Sequence, residues 1–205
     1  MGNLEKNIAL NAENRADFAR IANWISPHAK VLDLGCGDGS LLAQLRKTHN
    51  IRGYGVEKDD ANWLKAMNTG VDVIQMDLES GLSGFEAQSF DVVILSQTLQ
   101  AVLNTEAIVH EMLRVGREVI VTFPNFGYWR HRFQLIAGQM PVSDNLPYQW
   151  YDTPNVHLCT IKDFDEFCQN SNIVIEERLV LTDKEEVHFM PNIMGSLAMY
   201  RLRAK

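Results

Sequence analysis

Residues 31–40 have the sequence Val31-Leu32-Asp33-Leu34-Gly35-Cys36-Gly37-Asp38-Gly39-Ser40. The first four residues predict a short buried strand, the alternating glycines predict a tight turn, and the residues from Ser40 onward predict a helix. Glycine lets a ligand approach the backbone, because no Cβ stands in the way. The start of the following helix offers unpaired N–H groups. We therefore expect a ligand site at this turn.

The turn departs from the dinucleotide-binding pattern Gly-x-Gly-x-x-Gly or Ala, because Ser40 occupies the last position. Two acids, Asp33 and Asp38, flank the glycines and would repel a pyrophosphate, whereas they would attract a ligand with an ammonium or a sulfonium. The pattern resembles the first motif of class I S-adenosylmethionine (SAM)-dependent methyltransferases. The alternative is an ordinary strand-to-helix turn without a ligand.

Apolar patterns along the chain predict alternating strands and helices. Strands are predicted at 30–34, 51–56, 71–76, 90–95 and 118–123, and helices at 13–25, 40–48, 104–114 and 125–138, with a further helix that ends at Met67 and is capped by Asp59 or Asp60. Residues 163–169 predict a short helix, and 173–181 and 193–203 an antiparallel strand pair. Residues 139–160 are rich in Pro, Asn and aromatic residues and predict a loop or lid insertion.

This alternation predicts an α/β fold: a three-layer αβα, Rossmann-like, doubly wound sheet that is mostly parallel and has a C-terminal antiparallel strand. We expect residues 1–205 to form a single domain.

Ligands of open α/β sheets bind past the carboxyl ends of the strands. Glu57 ends the second predicted strand and could accept from both ribose hydroxyls, while Asp77 ends the third and could accept from an adenine amino group. Either acid alone would be an ordinary capping or loop acid. Ser96 and Gln97 follow the fourth strand and would line the methionine side. The predicted cofactor-binding residues are Asp33, Gly35, Cys36, Gly37, Asp38, Gly39, Glu57, Lys58, Asp77, Leu78, Ser96 and Gln97.

Composition disfavours a nucleic-acid partner, a membrane span and a metal site. The formal net charge of −7 disfavours a nucleic-acid backbone as partner. No apolar run approaches the length of a membrane span, so we expect no membrane association. The cysteines Cys36, Cys159 and Cys168 are widely spaced and predict free thiols in a reducing cytoplasm. The scattered histidines predict no metal site.

A general base is missing where a methyltransferase would need it. The segment Ser96-Gln97-Thr98-Leu99-Gln100 after the fourth strand contains no His, Asp or Glu. The catalytic residues therefore stay unknown at this stage. Candidate bases elsewhere are His131, Tyr128, Tyr151 and His157, although a single His in an aromatic loop is more often structural than catalytic.

Two segments, 123–132 and 148–157, combine Tyr, Trp and Phe in irregular sequence. Such residues line substrate pockets or form protein-binding surfaces, and they can also build a small satellite core under a long loop. We expect their exposed aromatics to form a docking surface.

Four phrases together resemble the MetW family of bacterial methionine-biosynthesis proteins. They are Asp17-Phe18-Ala19-Arg20-Ile21-Ala22-Asn23-Trp24-Ile25, the glycine motif at 31–39, Thr122-Phe123-Pro124-Asn125-Phe126-Gly127-Tyr128-Trp129, and Trp150-Tyr151-Asp152-Thr153-Pro154-Asn155-Val156-His157. The glycine motif is shared with all class I methyltransferases, whereas the last two phrases are more particular. The resemblance implies a cytoplasmic protein with a class I methyltransferase fold that is a partner or regulator of homoserine O-acetyltransferase.

Two interpretations of function remain open from the sequence. The first is a protein that binds SAM or S-adenosylhomocysteine (SAH) and regulates homoserine O-acetyltransferase. The second is an active SAM-dependent methyltransferase whose small-molecule substrate enters under the 139–160 segment. A nucleic-acid methyltransferase is disfavoured by the net charge of −7 and by the absence of Asn-Pro-Pro-Tyr or Asp-Pro-Pro-Tyr.

Overall fold

The computed structural model of the chain describes residues 15–182 and 185–205. The helices are α1 (Ala16–Trp24), α2 (Ser40–His49), α3 (Asp60–Asn68), α4 (Thr105–Val115), α5 (Trp129–Ile136), α6 (Ile161–Asn170) and α7 (Pro191–Met194). The strands are β1 (Lys30–Leu34), β2 (Arg52–Glu57), β3 (Asp72–Gln75), β4 (Phe90–Ser96), β5 (Gly116–Pro124), β6 (Ile173–Thr182), β7 (Glu185–Glu186) and β8 (Leu197–Ala204). Positions 13 and 14 of the predicted first helix lie outside the described residues.

Within these ranges the strands form one sheet with the order β3-β2-β1-β4-β5-β8-β6-β7. The strands from β3 to β5 pair in parallel, whereas β8 is antiparallel to both β5 and β6. The strand order reverses between β1 and β4, so their carboxyl ends lie side by side where open α/β sheets bind ligands. This arrangement confirms the predicted doubly wound, mostly parallel fold.

Helices cover both faces of the sheet, because successive residues of a strand point to opposite faces. Val31 and Ile94 belong to the core that contains Ile21 of α1 and Leu42 of α2. The adjacent residues Leu32 and Val93 belong to a second core, which contains residues of α4 and α6. The three-layer αβα prediction is therefore confirmed. No helix of the described ranges is both long and apolar enough to cross a membrane.

Helix starts follow from local capping chemistry. Of the two predicted caps for α3, Asp59 is the one used, since its side chain accepts from the backbone N–H of Asn62 at 2.9 Å. A capping box between Thr160 and Asp163 starts α6 at Ile161, two residues before the predicted helix.

The predicted helix 125–138 is wrong at its start, because α5 begins only at Trp129. The Asn125 side chain accepts from the N–H of Gly127 at 2.9 Å, which folds the preceding residues into a turn. The predicted strand 193–203 is also too long at its start. Pro191 opens the short helix α7, and β8 begins at Leu197.

Residues 139–160 are irregular apart from a bridge between Ser143 and Leu146. Side chains attach the first part of this segment to the body. The Gln134 amide makes two hydrogen bonds with the backbone of Val142, at 2.8 and 3.1 Å, and Asn145 donates to Ser196 at 3.1 Å. Residues 142–145 thus form an attached wall, and movement of the segment as a lid stays a prediction.

Candidate functional site

The glycine turn after β1 gives each of its glycines a different neighbourhood. A Cβ on Gly35 would meet the Thr98 side chain at 2.7 Å, and a Cβ on Gly39 would meet Ala66 of α3 at 3.1 Å. Gly37 has a φ of +56° and nothing within 4 Å of its Cβ position. Gly35 and Gly39 therefore permit close packing, whereas Gly37 leaves open space in which a ligand could reach the backbone.

Glu57 holds this turn through its carboxylate. The side chain is 8% exposed. One oxygen, Oε2, accepts from the N–H of Gly37 at 2.8 Å, and Oε1 accepts from the N–H groups of Lys58 and Asp59 at 2.8 and 2.9 Å. A carboxylate has about four acceptor positions. Glu57 thus has one free position for a ribose hydroxyl, where the sequence predicts acceptance from two.

Three carboxyl groups at this end of the sheet are buried. Besides Glu57 these are Asp17 of α1 and Asp33 of β1, which are 1% and 2% exposed. Arg15 binds Asp17 through two nitrogens, at 2.9 and 2.6 Å, and also donates to Ser96 at 2.7 Å. The Arg15 guanidinium therefore neutralises Asp17 directly, and its charge also acts on Asp33.

The two aspartates differ in their partners. The Oδ1 atom of Asp33 is buried and has no hydrogen-bond partner in the described ranges. Burial raises the pKa of Asp33 to about 7, although the charge of Arg15 opposes the shift. Burial also acts to raise the pKa of Asp17, but the hydrogen bonds and charge of Arg15 outweigh it and the pKa is lowered. Asp33 is thus a buried acceptor without a partner, next to the glycine turn.

A small cavity of about 140 Å³ lies beside the turn. It brings together five of the predicted residues, Gly35, Glu57, Lys58, Asp77 and Leu78. Its remaining walls are mostly apolar and include Val56, Met76, Ala101 and Val102, together with Thr98 and Glu79. An apolar slot with acceptors at its rim suits a nucleoside, whose base is flat and whose sugar donates hydrogen bonds.

The residues present fit SAM or SAH. Gly37 leaves room at the turn, Glu57 has a free acceptor position, and the unpartnered Asp33 oxygen can accept from a cationic ligand. Asp77 lies at the cavity with its Oδ2 atom 4.0 Å from Lys58 Nζ, and its other oxygen accepts from the N–H of Glu79 at 3.1 Å. Asp77 therefore combines the capping role with a place at the predicted adenine end.

Some predicted residues do not present their side chains to this cavity. The Cys36 sulfur packs toward β2, where a Cβ on Gly55 would meet it at 2.5 Å, and burial raises the pKa of the Cys36 thiol. Asp38 accepts from the backbone and the hydroxyl of Ser40 at 3.1 and 2.5 Å. Neither side chain lines this cavity, so both are ligand contacts at most through their backbone atoms.

A second, larger cavity of about 490 Å³, which we call the chamber, lies beside Gln97. It is bounded by the start of α1, the start of α5, the wall at 142–145 and the β6 and β8 residues Leu181 and Leu197. Arg15 and Asp17 line it, and they are functional candidates that the sequence analysis did not select. Local sequence carries no sign of their role, because Arg15 meets Ser96 across 81 positions of the chain.

The four candidate bases separate in the structure. His131 is fully buried, with Nδ1 3.2 Å from the Asn125 carbonyl oxygen and Nε2 2.9 Å from the Ser143 hydroxyl, and burial lowers its pKa. It therefore has a structural role. His157 lies 3.0 Å from the Leu103 carbonyl oxygen and Tyr151 is 71% exposed. Of the four, Tyr128 lines the chamber.

The expectation of exposed aromatics along 123–132 is partly wrong. Phe123 and Tyr128 are 1% and 4% exposed, because Phe123 stacks on Tyr200 in the core and Tyr128 packs against His131. Trp129 keeps 36% of its surface exposed, and Trp150 keeps 72%. Within the two segments, the exposed aromatics are therefore Trp129 at the start of α5 and Tyr148, Trp150 and Tyr151.

The family model "Methionine biosynthesis protein MetW" matches residues 15–202. The chain belongs to the MetW family. A curated relative, the bifunctional methionine biosynthesis protein MetXA/MetW of Rhodopirellula baltica, is 39% identical over 182 residues. That match covers 84% of this chain and 29% of the relative, so the chain spans less than a third of the relative's length.

Solved structures share the fold of this MetW-family chain. A protein of Pyrococcus horikoshii OT3 superimposes with a TM-score of 0.71 at 16% identity, covering 96% of this chain and 91% of that one. Magnesium protoporphyrin IX methyltransferase of Synechocystis PCC 6803, solved with bound SAH, gives 0.65 at 18% identity, covering 100% and 89%. At these identities the similarity establishes the methyltransferase fold alone.

Proposed function

We propose that this MetW-family protein serves methionine biosynthesis in the cytoplasm by binding SAM or SAH at the glycine turn and acting as a partner or regulator of homoserine O-acetyltransferase. The observation that carries the ligand half is the buried Asp33 oxygen at the end of β1, which has no partner in the described part of the chain, and it is supported by the open space at Gly37 in the following turn. A buried acceptor without a partner is costly, and a donor on a bound ligand would relieve that cost.

Charge favours a cationic ligand at this place. Asp17, Asp33 and Glu57 are all buried, while Arg15 supplies one positive charge. When bound, SAM would supply a sulfonium methyl group. The chain's residues would bind its amino-acid and ribose groups through Asp33 and Glu57 and enclose its base between Met76, Leu78 and Val102. Titration calorimetry with SAH tests this half.

The proposed partnership with homoserine O-acetyltransferase is supported by the MetW family and by the curated relative from Rhodopirellula baltica. The Rhodopirellula baltica protein is named as bifunctional MetXA/MetW, and the present chain matches 29% of it. The MetW family resemblance links such chains to homoserine O-acetyltransferase. Two domains that are joined in one chain of a relative are expected to contact each other, and we extend that expectation to this domain.

Replacing Gly37 by valine is expected to weaken SAH binding more than it weakens the fold. The branched side chain would occupy the open space beside the turn, and we expect an affinity loss of more than about tenfold. The positive φ also strains the variant by about 1–2 kcal/mol.

Gly70→Val is the matched control, since Gly70 has a φ of +77° and nothing within 4 Å of its Cβ position. Both variants should unfold at similar temperatures, and the control should bind SAH normally. Equal SAH affinities of the two variants would refute the placement of the ligand at Gly37.

The docking surface is expected on the exposed aromatics. Trp129→Ala and Trp150→Ala should each weaken binding of homoserine O-acetyltransferase by about 2 kcal/mol, because exposed Trp residues are frequent anchors of interfaces. Leu64→Ala is the control, since Leu64 is 54% exposed on α3 and lies outside both aromatic segments, 123–132 and 148–157. Calorimetric titration of the partner measures all three variants, and undiminished binding by both Trp variants would place the interface elsewhere.

The same titration also tests whether SAM regulates binding of the partner. If SAM changes the affinity of the partner, the partner must change the affinity of SAM by the same factor. If the partner binds with the same affinity with and without saturating SAM, the complex exists but SAM does not regulate it.

An active small-molecule methyltransferase is the second candidate, and the chamber beside Gln97 favours it because it offers room for an acceptor. Asp17 is a weak general base, since its pKa is lowered and Arg15 occupies it. Release of SAH from SAM in the presence of a metabolite extract would support the enzyme.

A further inference from the structure

Helix α5 carries large apolar side chains on its solvent face. Trp129, Phe133 and Ile136 are 36%, 62% and 81% exposed. Positions i, i+4 and i+7 lie on one face of an α-helix, so these side chains form a stripe along it. The rings of Trp129 and Phe133 meet edge to face with their centroids 5.8 Å apart. The outer face of α5 is therefore an apolar stripe in contact with solvent.

The opposite face of α5, which packs against the protein, is polar. His131 is fully buried and Gln134 is half-buried, and at roughly 100° per residue both point away from the stripe. His131 Nε2 lies 2.9 Å from the Ser143 hydroxyl, and the Gln134 amide makes two hydrogen bonds with the backbone of Val142. A surface helix ordinarily packs its apolar stripe on the core. Because α5 has the reverse arrangement, its stripe is suited to a partner.

Two arginines flank the stripe. Arg130 and Arg132 are both exposed, and the geometry of a helix places them on either side of the line through Trp129 and Phe133. The helix, residues 129–136, contains no Asp or Glu. This surface is therefore locally positive, although the whole chain has a formal net charge of −7. A partner that is complementary to it presents carboxylates.

The charges decide between three classes of occupant. An anionic membrane surface would be repelled by a protein of net charge −7. A second copy on a two-fold axis through α5 would bring Arg130 and Arg132 against the same residues of the other helix, with no acid on either helix to offset them. A protein groove with an apolar floor and acidic walls matches both the stripe and the arginines, and such grooves take helices by anchors at i, i+4 and i+7.

We propose that the outer face of α5 inserts into an apolar groove of the proposed partner, homoserine O-acetyltransferase, and that carboxylates line both walls of this groove. Phe133 and Ile136 fill the groove, and Trp129 closes its end. Arg130 and Arg132 pair with the carboxylates. The inference rests on the proposed partnership, to which it adds the helix that docks and the chemistry of the surface that receives it.

Titration calorimetry of the full chain with homoserine O-acetyltransferase tests the apolar part. Phe133→Asp and Ile136→Asp should each weaken binding by about thirtyfold or more, because an anchor is lost and a carboxylate enters an acidic groove. Leu64→Asp is the matched control, since it makes the same change at a residue that is 54% exposed on helix α3. The control should bind like the wild type, and circular dichroism verifies that all three variants are folded.

Arg130→Gln tests the charged part. Arg132 is less suitable, because its Nε atom also donates to the Gly127 carbonyl oxygen at 2.6 Å and so supports the start of the helix. At low ionic strength Arg130→Gln should weaken partner binding by about three- to tenfold. The difference from the wild type should shrink as salt is added, because salt screens exposed charge pairs.

The possible failures can be told apart. If the wild type binds the enzyme and both Asp variants bind it equally well, the inference about α5 is overturned and the partnership stands. If the wild type does not bind the enzyme, the partnership and the inference are both refuted. Sedimentation with anionic vesicles that Ile136→Asp abolishes, or a dimer of this chain that Ile136→Asp dissociates, would assign the stripe to a membrane or to a second copy and overturn the inference.

Discussion

Replacing Glu57 by alanine is expected to weaken SAH binding by about ten- to a hundredfold, which corresponds to a loss of about 1.5–3 kcal/mol from charge-assisted hydrogen bonds. The carboxylate has two functions in this site. Its Oε2 atom holds the N–H of Gly37 at 2.8 Å and keeps one acceptor position for a ribose hydroxyl. Both are lost in the variant. Titration calorimetry of SAH into each protein measures the effect.

The controls for Glu57 separate binding from folding. Glu86→Ala removes the same charge from an exposed loop position and should bind SAH like the wild type. Glu57→Gln keeps the size and one carbonyl acceptor, so we expect an intermediate loss, and it serves as the test if the alanine variant does not fold. Unchanged SAH affinity in both Glu57 variants would contradict the ribose assignment.

Replacing Asn125 by alanine is expected to destabilise the fold by about 3 kcal/mol and to lower Tm by about 6–12 °C. The Asn125 side chain is fully buried. Its amide donates to the carbonyl oxygens of Gly195 and Asn192 at 2.7 and 3.2 Å, while its oxygen accepts from Gly127 and Ile161 at 2.9 and 3.3 Å. Alanine would remove these bonds, and of the backbone donors the N–H of Ile161 would keep the Asn192 side-chain oxygen at 3.1 Å as its partner.

This residue also supports the chamber. It joins the end of β5 to the start of α6 and to the residues before β8. Tyr128, which follows β5, and Leu197, which begins β8, both line the chamber. Asn155→Ala is the control, since its side chain makes no hydrogen bond in the described part of the chain, and it should change stability by less than about 0.5 kcal/mol. Thermal unfolding followed by circular dichroism measures both variants. A Tm of Asn125→Ala equal to that of the wild type would show that Asn125 does not hold these elements together.

Local sequence was sufficient for the fold. Apolar runs such as Val92-Val93-Ile94-Leu95 predict buried parallel strands because both faces of such a strand are covered. The glycine turn and the Asp59 cap predict where helices start, since capping depends on residues three or four positions apart. The alternation of these elements then leaves few topologies, because strand–helix–strand connections are right-handed.

The errors of the sequence analysis arose where a distant part of the chain competes with local preference. Residues 125–128 are compatible with a helix by pattern, but the bonds from Asn125 to Asn192 and Gly195, some seventy positions away, hold them in a turn. Tyr128 resembles a surface aromatic in sequence, yet it packs against His131 in the structure. Neither the bonds of Asn125 nor the packing of Tyr128 can be predicted from the pattern of apolar residues in the surrounding sequence.

In the candidate site too, some features follow from the local sequence and others only from the tertiary structure. The sequence by itself determined the glycine turn, the acids that end β2 and β3, and therefore the place of the nucleoside cavity, because these follow from strand ends in a parallel sheet. Only the tertiary structure decided that Arg15 and Asp17 reach Ser96 across about eighty positions, and that Tyr128, Arg130 and Asp144 face one chamber. Periodicity reports which face of its own element a residue occupies, whereas side-chain partners depend on how the elements pack.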